Sequence, residues 1–283
     1  MSIFINPTQF APTDDFDSYP KTFDSDIARL TAAGASAVFA PTSAAMYSDD
    51  FSMFVTPAGA DDLKGEGTRR PGFFRGVCTV VTKLFNIVQP DRAFFGQKDG
   101  LQSIMVQKLV RDLNMPLTVT ICPTVRERDG LAMSSRNVYL SEAERAAAPV
   151  IYQALLKGRE AWHTALKQQQ QLQPRSNDTD TGITAETESD VVDVSGVRAA
   201  VTAALQEAAA KYPFQHLDYV FLSDCVTGVE LSDIPSKEDG SKGAGADCVK
   251  RGRSVMLAVA VKSNTTRLID NIILTPNADQ DMI

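Results

Sequence analysis

Residues 92–122 read RAFFGQKDGLQSIMVQKLVRDLNMPLTVTIC, and this stretch decides the fold. Its apolar start predicts a strand over Arg92–Phe95, followed by a polar turn over Gly96–Asp99. Apolar residues then recur at helical spacing from Leu101, and Pro116 stops that helix before a second apolar strand over Leu117–Cys122. A strand, a helix and a second strand in this order form a βαβ unit, so the two strands are expected to be parallel.

The same alternation extends towards the N-terminus. Ser2–Ile5 and Ser36–Ala40 are predicted strands, and Asp24–Ala33 and Val77–Val88 are predicted helices. We therefore expect an α/β domain with a mostly parallel sheet over residues 1–140. Ligands of such sheets bind beyond the carboxyl ends of the strands.

The second half has a different pattern. Ser141-Glu-Ala-Glu144 is a capping box that opens a long helix, and three apolar strands follow, ending with Arg267–Leu274. This predicts a smaller α+β domain over residues 141–283, which could act as a lid. Two polar insertions, near residues 168–190 and 236–252, are expected to be disordered because they hold few apolar side chains.

Composition narrows the class of protein. The 283 residues are 43% hydrophobic and 22% charged, which is typical of a soluble globular protein. A net charge of -7 argues against nucleic acid as a partner. The four cysteines form no Cys-x-x-Cys pair, so no metal-ligating residues are predicted; Cys78 and Cys122 are expected to be buried thiols in a reducing, cytoplasmic compartment. No apolar run reaches the ~18 residues of a membrane span.

Three polar segments could carry chemistry. Asp129-Gly-Leu-Ala-Met-Ser-Ser-Arg-Asn137 offers hydroxyls and a guanidinium to phosphate oxygens, although such a stretch taken alone is more often an ordinary exposed turn. Lys98 lies just before the N-terminus of a helix, where the macrodipole favours anions and disfavours a lysine. A bound phosphate would remove this conflict, because the helix N–H groups and the lysine both attract it. Asn6-Pro-Thr-Gln9 can bind a carboxylate or a hydroxyl, or it can be a simple turn. His163 and His216 have no catalytic neighbour in sequence, which argues against a Ser-His-Asp mechanism.

Together these segments resemble the pantothenate synthetase (pantoate–β-alanine ligase) family. The matching stretches run through nearly the whole chain outside the two insertions: Ser-Ile-Phe-Ile-Asn-Pro-Thr-Gln-Phe10, Tyr19-Pro-Lys-Thr22, Glu66-Gly with Arg70-Pro-Gly-Phe-Phe-Arg-Gly76, Lys83-Leu-Phe-Asn-Ile-Val-Gln-Pro90, Phe95-Gly-Gln-Lys-Asp99, Asp129-Gly-Leu-Ala-Met-Ser-Ser-Arg-Asn137 and Thr266-Arg-Leu-Ile-Asp-Asn271. The resemblance implies a Rossmann-like nucleotidyltransferase domain. It also implies an enzyme that uses ATP and Mg²⁺ to join pantoate to β-alanine through a pantoyl adenylate, releasing AMP and pyrophosphate, and that forms a homodimer.

The resemblance also implies roles for individual residues. Substrate would be bound or enclosed by Asn6, Gln9, Tyr19, Glu66, Arg70 and Gln102. ATP would be bound at Gly96, at Lys98 through phosphate, at Asp99 through the ribose and at Val125 through adenine. A mobile phosphate loop would consist of Met133, Ser134, Ser135 and Arg136, of which the last three, with Lys98, would be catalytic.

One departure from the family stands out. Family members begin with a further strand and a Pro-Thr-Met-Gly…His-x-Gly-His segment whose histidines stabilise the phosphates, and this chain starts at the family's second strand. The Rossmann-like domain is therefore expected to be incomplete at its N-terminus and adenylation to be very slow.

A non-catalytic homologue or fragment that keeps ligand binding or dimerisation is the alternative hypothesis. Another adenylate-forming or cytidylyl-transferring Rossmann enzyme is disfavoured, because it would lack the Asn-Pro-Thr-Gln and Thr-Arg-Leu-Ile-Asp-Asn stretches.

Overall fold

The computed structural model describes residues 1–11, 16, 19–20, 22–172, 191–233, 248–250 and 252–276. The chain divides into two compact units: Met1–Ala93 with Met105–Val119, and Phe94–Ile104 with Thr120–Ile283. The divisions fall inside three regular elements, Arg92–Gly96, Gly100–Asp112 and Thr118–Cys122. The predicted boundary between residues 140 and 141 remains a prediction.

Four α-helices lie wholly within the described part of the first unit. They are α1 (Phe23–Ala32), α2 (Ser43–Met46), α3 (Glu66–Arg69) and α4 (Phe73–Val88). The strands expected at Ser2–Ile5 and Ser36–Ala40 are reduced to one parallel bridge between Ser2 and Phe39. The pairing is short because Pro7 and Pro41, which have no N–H to donate, follow the two segments.

Helix α4 supplies the core of the first unit. Its apolar residues recur every three or four positions, and every residue from Phe73 to Val81 except Arg75 is buried. Cys78 lies in this buried half of the helix, and burial raises the pKa of its thiol to about 12. The helix ends at Gln89, which takes a left-handed backbone conformation (φ 48°) before Pro90.

The stretch that decides the fold forms the predicted βαβ unit. It consists of β1 (Arg92–Gly96), α5 (Gly100–Asp112) and β2 (Thr118–Cys122). Thr118 N–H donates to the carbonyl of Asp91 (3.0 Å), and Gln97 N–H donates to the carbonyl of Cys122 (2.8 Å). Residue numbers rise in the same direction along both strands from the first bond to the second, so β1 and β2 are parallel as predicted. Cys122, expected to be buried, is exposed at the end of β2.

The second unit is built on an antiparallel sheet. Strands β4 (Gln215–Asp224), β6 (Val255–Ser263) and β7 (Thr266–Leu274) lie side by side in the order β4-β6-β7. Helices α6 (Glu142–Ala147), α7 (Val150–Leu172) and α8 (Ser195–Lys211) all precede these three strands in the chain, and β3 (Val191–Asp193) pairs with β5 (Cys248–Lys250). The predicted combination of a parallel α/β part and a smaller antiparallel part is confirmed.

Two boundaries of the predicted disordered insertions were wrong. Helix α7 continues to Leu172, because the glutamines from residue 168 onwards are good helix formers. Residues 248–250 form β5, because Val249 is buried and pairs with Val192. The remainder of both insertions, residues 173–190 and 236–247, lies outside the described residues.

The core of the second unit lies where α7 and α8 pack against the sheet. Trp162, Leu155 and Leu257 are all buried there. A Cβ on Gly158 would lie 2.5 Å from Leu257 Cδ2 and 2.6 Å from Val201 Cγ2, so glycine allows this close approach. The indole Nε1 of Trp162 donates to the carbonyl of Thr275 at 2.7 Å. Within the described ranges, no helix is both long and apolar enough to cross a membrane.

Leu257→Ala should destabilise this core. The substitution removes a fully buried side chain and leaves a cavity, which lowers the free energy of unfolding by about 2–5 kcal/mol. Trp162 is the single tryptophan of the chain, so its fluorescence during denaturant unfolding measures this loss directly. Val226→Ala, at an exposed position of the same unit, should change the free energy by no more than about 0.5 kcal/mol. Equal effects of the two substitutions would contradict the assigned core.

Candidate functional site

The first unit contains a cleft between the Pro7–Gln9 3-10 turn and the start of α4. The cleft encloses about 120 Å³. It is lined by backbone and side chains of Thr8, Gln9, Phe10, Ala11, Phe54, Arg70, Pro71, Gly72, Phe73, Arg75 and Gly76. Two arginines and one amide in a small concave space favour a small anionic ligand.

Asn6 organises the turn beside this cleft. Its Nδ2 donates to Gln9 Oε1 (3.1 Å) and to the carbonyl of Gly76 (3.2 Å). Its Oδ1 accepts hydrogen bonds from Thr8 Oγ1 (3.0 Å) and from Tyr47 Oη (2.7 Å). An asparagine amide has two N–H donors and two acceptor lone pairs, so these four bonds use its capacity. With only 4% of its surface exposed, Asn6 acts on its neighbours within the fold.

The Asn6 amide sets the orientation of Gln9. Because Gln9 Oε1 accepts from Asn6, its Nε2 is left as the donating end of an amide that lines the cleft. Among the described residues, Nε2 has no hydrogen-bond acceptor. The backbone carbonyl of Gln9 accepts from Arg70 Nη2 at 3.2 Å, which fixes the main chain as well. The arrangement presents an N–H donor to an incoming oxygen.

The arginines of the cleft are held by rings and by one carboxylate. The guanidinium of Arg70 lies 4.2 Å from the centroid of the Phe73 ring and 3.9 Å from the carboxylate of Glu66. The guanidinium of Arg75 lies 3.6 Å from the centroid of Phe54. Cation–π contacts of this kind hold a guanidinium in place without neutralising it. Glu66 lies close enough to Arg70 to offset part of its charge.

Gly76 and Tyr47 complete the support of the turn. A Cβ on residue 76 would lie 2.5 Å from the carbonyl oxygen of Thr8, so only glycine lets the turn rest directly on α4. The hydroxyl of Tyr47 donates to Asn6, and burial raises the pKa of this tyrosine. Tyr19 packs edge-on against Phe10, with ring centroids 5.9 Å apart.

In the second unit, the turn after β1 carries Lys98 and Asp99. The carbonyl of Asp99 accepts from Ser103 N–H at 2.9 Å, which places Asp99 at the N-terminal end of α5. Ser103 Oγ donates to the carbonyl of Gly96 at 3.0 Å and closes the turn. The Lys98 ammonium lies 3.9 Å from the carboxylate of Asp99. A cation beside helix N–H groups is a local arrangement suited to phosphate. Gln102 lies in the first turn of α5.

The predicted phosphate loop begins as a short hairpin. Arg126 and Ala132 form an antiparallel bridge, and Met133 N–H donates to the carbonyl of Val125 at 2.9 Å. Gly130 makes the turn with a positive φ of 93°. A side chain there would also clash with the ring of Tyr152, since its Cβ would lie 2.5 Å from that ring.

Two exposed apolar side chains lie at the open end of the hairpin. Val125 is 67% exposed and Met133 is 49% exposed, and their backbones are joined by the hydrogen bond given above. We call this pair the Val125–Met133 ledge. Adjacent exposed aliphatic side chains are suited to the face of a planar ring.

Ser134 starts a 3-10 helix over Ser135–Tyr139. Its Oγ accepts from Arg136 N–H at 3.3 Å, which is the geometry of a helix cap. Ser135 and Arg136 follow directly in the first turn of that helix. The predicted hydroxyl and guanidinium groups therefore occupy one short helical turn beside the ledge.

A buried ion pair lies behind the hairpin. Arg126 binds Asp270 through two bonds, from Nη1 to Oδ2 (2.6 Å) and from Nη2 to Oδ1 (3.0 Å). Burial raises the pKa of Asp270, and the hydrogen bonds and charge of Arg126 oppose this rise. Next to it, Asn271 Nδ2 donates to the carbonyls of Gln97 and Lys98, both at 2.8 Å.

The predicted site residues fall into two groups. The first unit contains Asn6, Gln9, Tyr19, Glu66 and Arg70, and the second contains Gly96, Lys98, Asp99, Gln102, Val125, Met133, Ser134, Ser135 and Arg136. Sequence reasoning gave no role to Tyr47, Phe54 and Gly76 in the first unit or to Asp270 and Asn271 in the second. Only the Thr-Arg-Leu-Ile-Asp-Asn271 match pointed to that last pair, and it indicated no function.

Comparisons with known proteins agree with one another. A family model described as Pantoate-beta-alanine ligase matches residues 1–273. The pantothenate synthetase of Herpetosiphon aurantiacus is 40% identical over 273 residues, which are 96% of this chain and 82% of that protein. The crystal structure of pantothenate synthetase from Thermus thermophilus is 36% identical with a TM-score of 0.74, covering 97% of this chain and 83% of its own, and it supports the predicted fold class.

A more distant structure shares the fold. Pantoate-beta-alanine ligase from Francisella tularensis, complexed with beta-gamma ATP and beta-alanine, is 24% identical with a TM-score of 0.63, covering 98% of this chain and 80% of its own. The match to the family model starts at residue 1. It gives no support to the expectation that the family's first strand and His-x-Gly-His segment are missing.

Gly76→Ala should displace the turn that carries Gln9. The added methyl group would overlap the Thr8 carbonyl, and relieving that overlap costs about 1–3 kcal/mol of unfolding free energy. Denaturant unfolding followed by far-ultraviolet circular dichroism measures the loss. Gly196→Ala, in the first turn of α8 with open space around its Cβ, is the matched control and should be neutral or slightly stabilising. An unchanged midpoint for Gly76→Ala would contradict the close packing of turn and helix.

Proposed function

The chain belongs to the pantoate–β-alanine ligase family, and we propose that it joins pantoate to β-alanine by way of a pantoyl adenylate. Membership rests on the family match over residues 1–273 and on the 40% identity to a pantothenate synthetase over 96% of the chain. The chain is thus a ligase of pantothenate synthesis by family. The intermediate, the residue roles and the metal described below are our proposal.

The proposed reaction has two steps. A carboxylate oxygen of pantoate attacks the α-phosphorus of ATP, and the bond to pyrophosphate breaks. The amine of β-alanine then attacks the acyl carbon, AMP leaves with the electron pair of the C–O bond, and the nitrogen loses a proton. Neither step needs a protein nucleophile, so catalysis depends on positioning and on stabilising charge at phosphate oxygens.

The observation that carries the proposal is the orientation of Gln9. Its carbonyl end is occupied by Asn6, so its N–H₂ end can donate to pantoate in the cleft. We assign Asn6 a positioning role through Gln9, because its four hydrogen bonds all lie within the fold. Arg70 lines the cleft and has Glu66 beside it, Arg75 adds positive charge suited to a carboxylate, and Tyr19 borders the turn through Phe10. Gln102 is proposed as a further pantoate ligand.

The second unit supplies the proposed ATP site. Lys98 binds phosphate and Asp99 binds the ribose. Gly96, the last residue of β1, is also proposed to contact ATP. The adenine ring lies on the Val125–Met133 ledge, whose two side chains are exposed and adjacent. Ser134, Ser135 and Arg136 donate to phosphate oxygens as charge develops. The Francisella tularensis ligase is complexed with beta-gamma ATP and beta-alanine, which supports the coarser proposal that this chain uses ATP.

We propose that Mg²⁺ enters on the ATP phosphates as part of the substrate. Mg²⁺ commonly binds through substrate phosphates and water, with few protein ligands. Among the described residues, no three His, Cys, Asp or Glu side chains are grouped so that they could hold a metal ion. A homodimer in the cytoplasm, without nucleic-acid or membrane partners, also remains a prediction.

The test of function separates ligase from non-catalytic homologue. The purified chain is given ATP, Mg²⁺, pantoate and β-alanine, and AMP is measured. Pantoate-dependent exchange of labelled pyrophosphate into ATP reports the first step alone. AMP formation that needs both substrates supports the proposal. Binding of pantoate and ATP by calorimetry without exchange or AMP would favour the non-catalytic homologue.

Lys98→Ala should slow the first step more than it weakens pantoate binding. Loss of a cation beside developing phosphate charge lowers the exchange rate by about 10²- to 10³-fold. The matched control is Lys108→Ala on α5, where the lysine is partly exposed and pairs with Asp112. The control should retain the parent rate. Equal rates for Lys98→Ala and the parent would remove Lys98 from the phosphate site.

Gln9→Glu should weaken pantoate binding selectively. The variant keeps an oxygen that accepts from Asn6. It replaces the donating amide nitrogen with a second carboxylate oxygen, which repels the pantoate carboxylate. We expect the KM for pantoate to rise about 10- to 100-fold, while the KM for ATP changes little. Gln153→Glu, at an exposed position on α7, controls for the added charge. An unchanged KM for pantoate would place the carboxylate elsewhere.

A further inference from the structure

Asn271 on strand β7 holds the backbone that carries Lys98. Its single Nδ2 donates to two consecutive carbonyls, of Gln97 and Lys98, at 2.8 Å each. Gln97 Nε2 in turn donates to Asn271 Oδ1 at 3.4 Å. With 2% of its surface exposed, Asn271 is shielded from water that could replace these bonds. The Lys98 side chain therefore starts from a fixed main chain.

The preceding residue, Asp270, holds the hairpin. Its carboxylate binds both Nη atoms of Arg126, and Arg126 Nη1 also donates to the carbonyl of Gly130 at 3.1 Å. The guanidinium lies 3.8 Å from the centroid of the Tyr152 ring. Arg126 is thus fixed from three sides, and with it the hairpin that ends in the Val125–Met133 ledge.

The side-chain bonds of this pair point away from their own sheet. Backbone pairing with Val259 and Ala258 already sets the register of β7 without either side chain. The Asp270 carboxylate binds Arg126, and the Asn271 amide binds the carbonyls of Gln97 and Lys98. The one side-chain bond within β7 is accepted by Asp270 Oδ1 from the N–H of Asn271. Buried polar groups that served stability alone could be replaced by apolar side chains at similar stability.

A neighbouring strand supports the same turn. A Cβ on Gly100 would overlap Met256 Sδ of β6 and would lie 3.0 Å from Asn271 Nδ2. The start of α5 therefore rests directly on the β6–β7 hairpin. Any side chain at residue 100 would push the turn off Asn271.

We propose that Asp270 and Asn271 are positioning residues that hold the Gln97–Gly100 turn and the Arg126–Ala132 hairpin in the arrangement needed for ATP. The proposal rests on the proposed function, and it extends that function to a strand that contacts no assigned substrate. The pair acts through Lys98 and Arg126. Two consecutive residues on one strand thereby couple the phosphate end of the proposed site to its adenine end.

The test compares Asn271→Ala with a matched asparagine. Asn264 lies in the turn between β6 and β7, and its Nδ2 donates to Glu144 Oε1 at 2.7 Å. Its φ of 47° is one that glycine adopts without strain, so Asn264→Gly removes the amide alone. Both variants lose a side-chain amide from the same hairpin, and only Asn271→Ala frees the turn.

Amide hydrogen exchange without ligand is the first measurement. In Asn271→Ala, exchange at residues 97–103 should rise about tenfold or more, because the bonds that hold the turn are gone. In Asp270→Asn, exchange at residues 127–133 should rise similarly, because the bidentate contact to Arg126 is weakened. Asn264→Gly should leave both segments as in the parent. Unchanged exchange in Asn271→Ala, or an equal rise in the control, overturns the proposal.

Calorimetric binding of ATP and pantoate is the second measurement. Asn271→Ala should raise the Kd for ATP about tenfold or more and leave the Kd for pantoate within about twofold. Equal ATP affinity for Asn271→Ala and the parent overturns the positioning role. A parent chain that does not bind ATP contradicts the proposed function instead, and the exchange experiment still decides whether Asn271 holds the turn. If Asn271→Ala does not fold, Asn271→Ser, which retains one donor, is measured in the same way and judged by the same limits.

Discussion

The requirement that a buried amide use its hydrogen bonds fixes a candidate ligand-binding segment in each of the two units. Asn6 meets that requirement by joining the Pro7–Gln9 turn to α4, and Asn271 meets it by joining the Gln97–Lys98 backbone to β7. An unsatisfied buried polar group costs about 1–3 kcal/mol, so each asparagine strongly favours one arrangement of its loop. Loops that would otherwise sample many conformations are held by single side chains.

The ion pair of Arg126 and Asp270 is best understood in the same way. A buried pair recovers from its own attraction much of what it loses on leaving water, and the net gain in stability is small. Geometry is what the pair adds, because a planar guanidinium with two bonds to one carboxylate has little freedom to turn. The hairpin that carries the Val125–Met133 ledge is attached to this rigid unit. Glycine at residue 130 then lets the chain turn beneath Tyr152.

The sequence predicted which segments are helices and strands better than it predicted where those elements end and what they contact. The apolar periods of α4 and of residues 92–122 are local properties, so the βαβ unit could be predicted from them. The pairing of Ser2–Ile5 with Ser36–Ala40 depends on partners far apart in sequence, and it shrank to one bridge. Gln9 and Lys98 were predicted as site residues because each follows a predicted strand, and their roles stay predictions. The roles of Tyr47, Gly76 and Asn271 arise from contacts across 41, 68 and 174 positions, of which periodicity gives no sign.

The Val125–Met133 ledge has a consequence for the choice of nucleotide. Two aliphatic side chains offer a purine a surface to lie on and no hydrogen bond to its edge, so on the proposed assignment the ledge would accept guanine as readily as adenine. Preference between the two bases must then come from backbone groups or side chains that face the edge of the ring. Affinity for the base and recognition of the base would be separate properties of this site, supplied by different atoms.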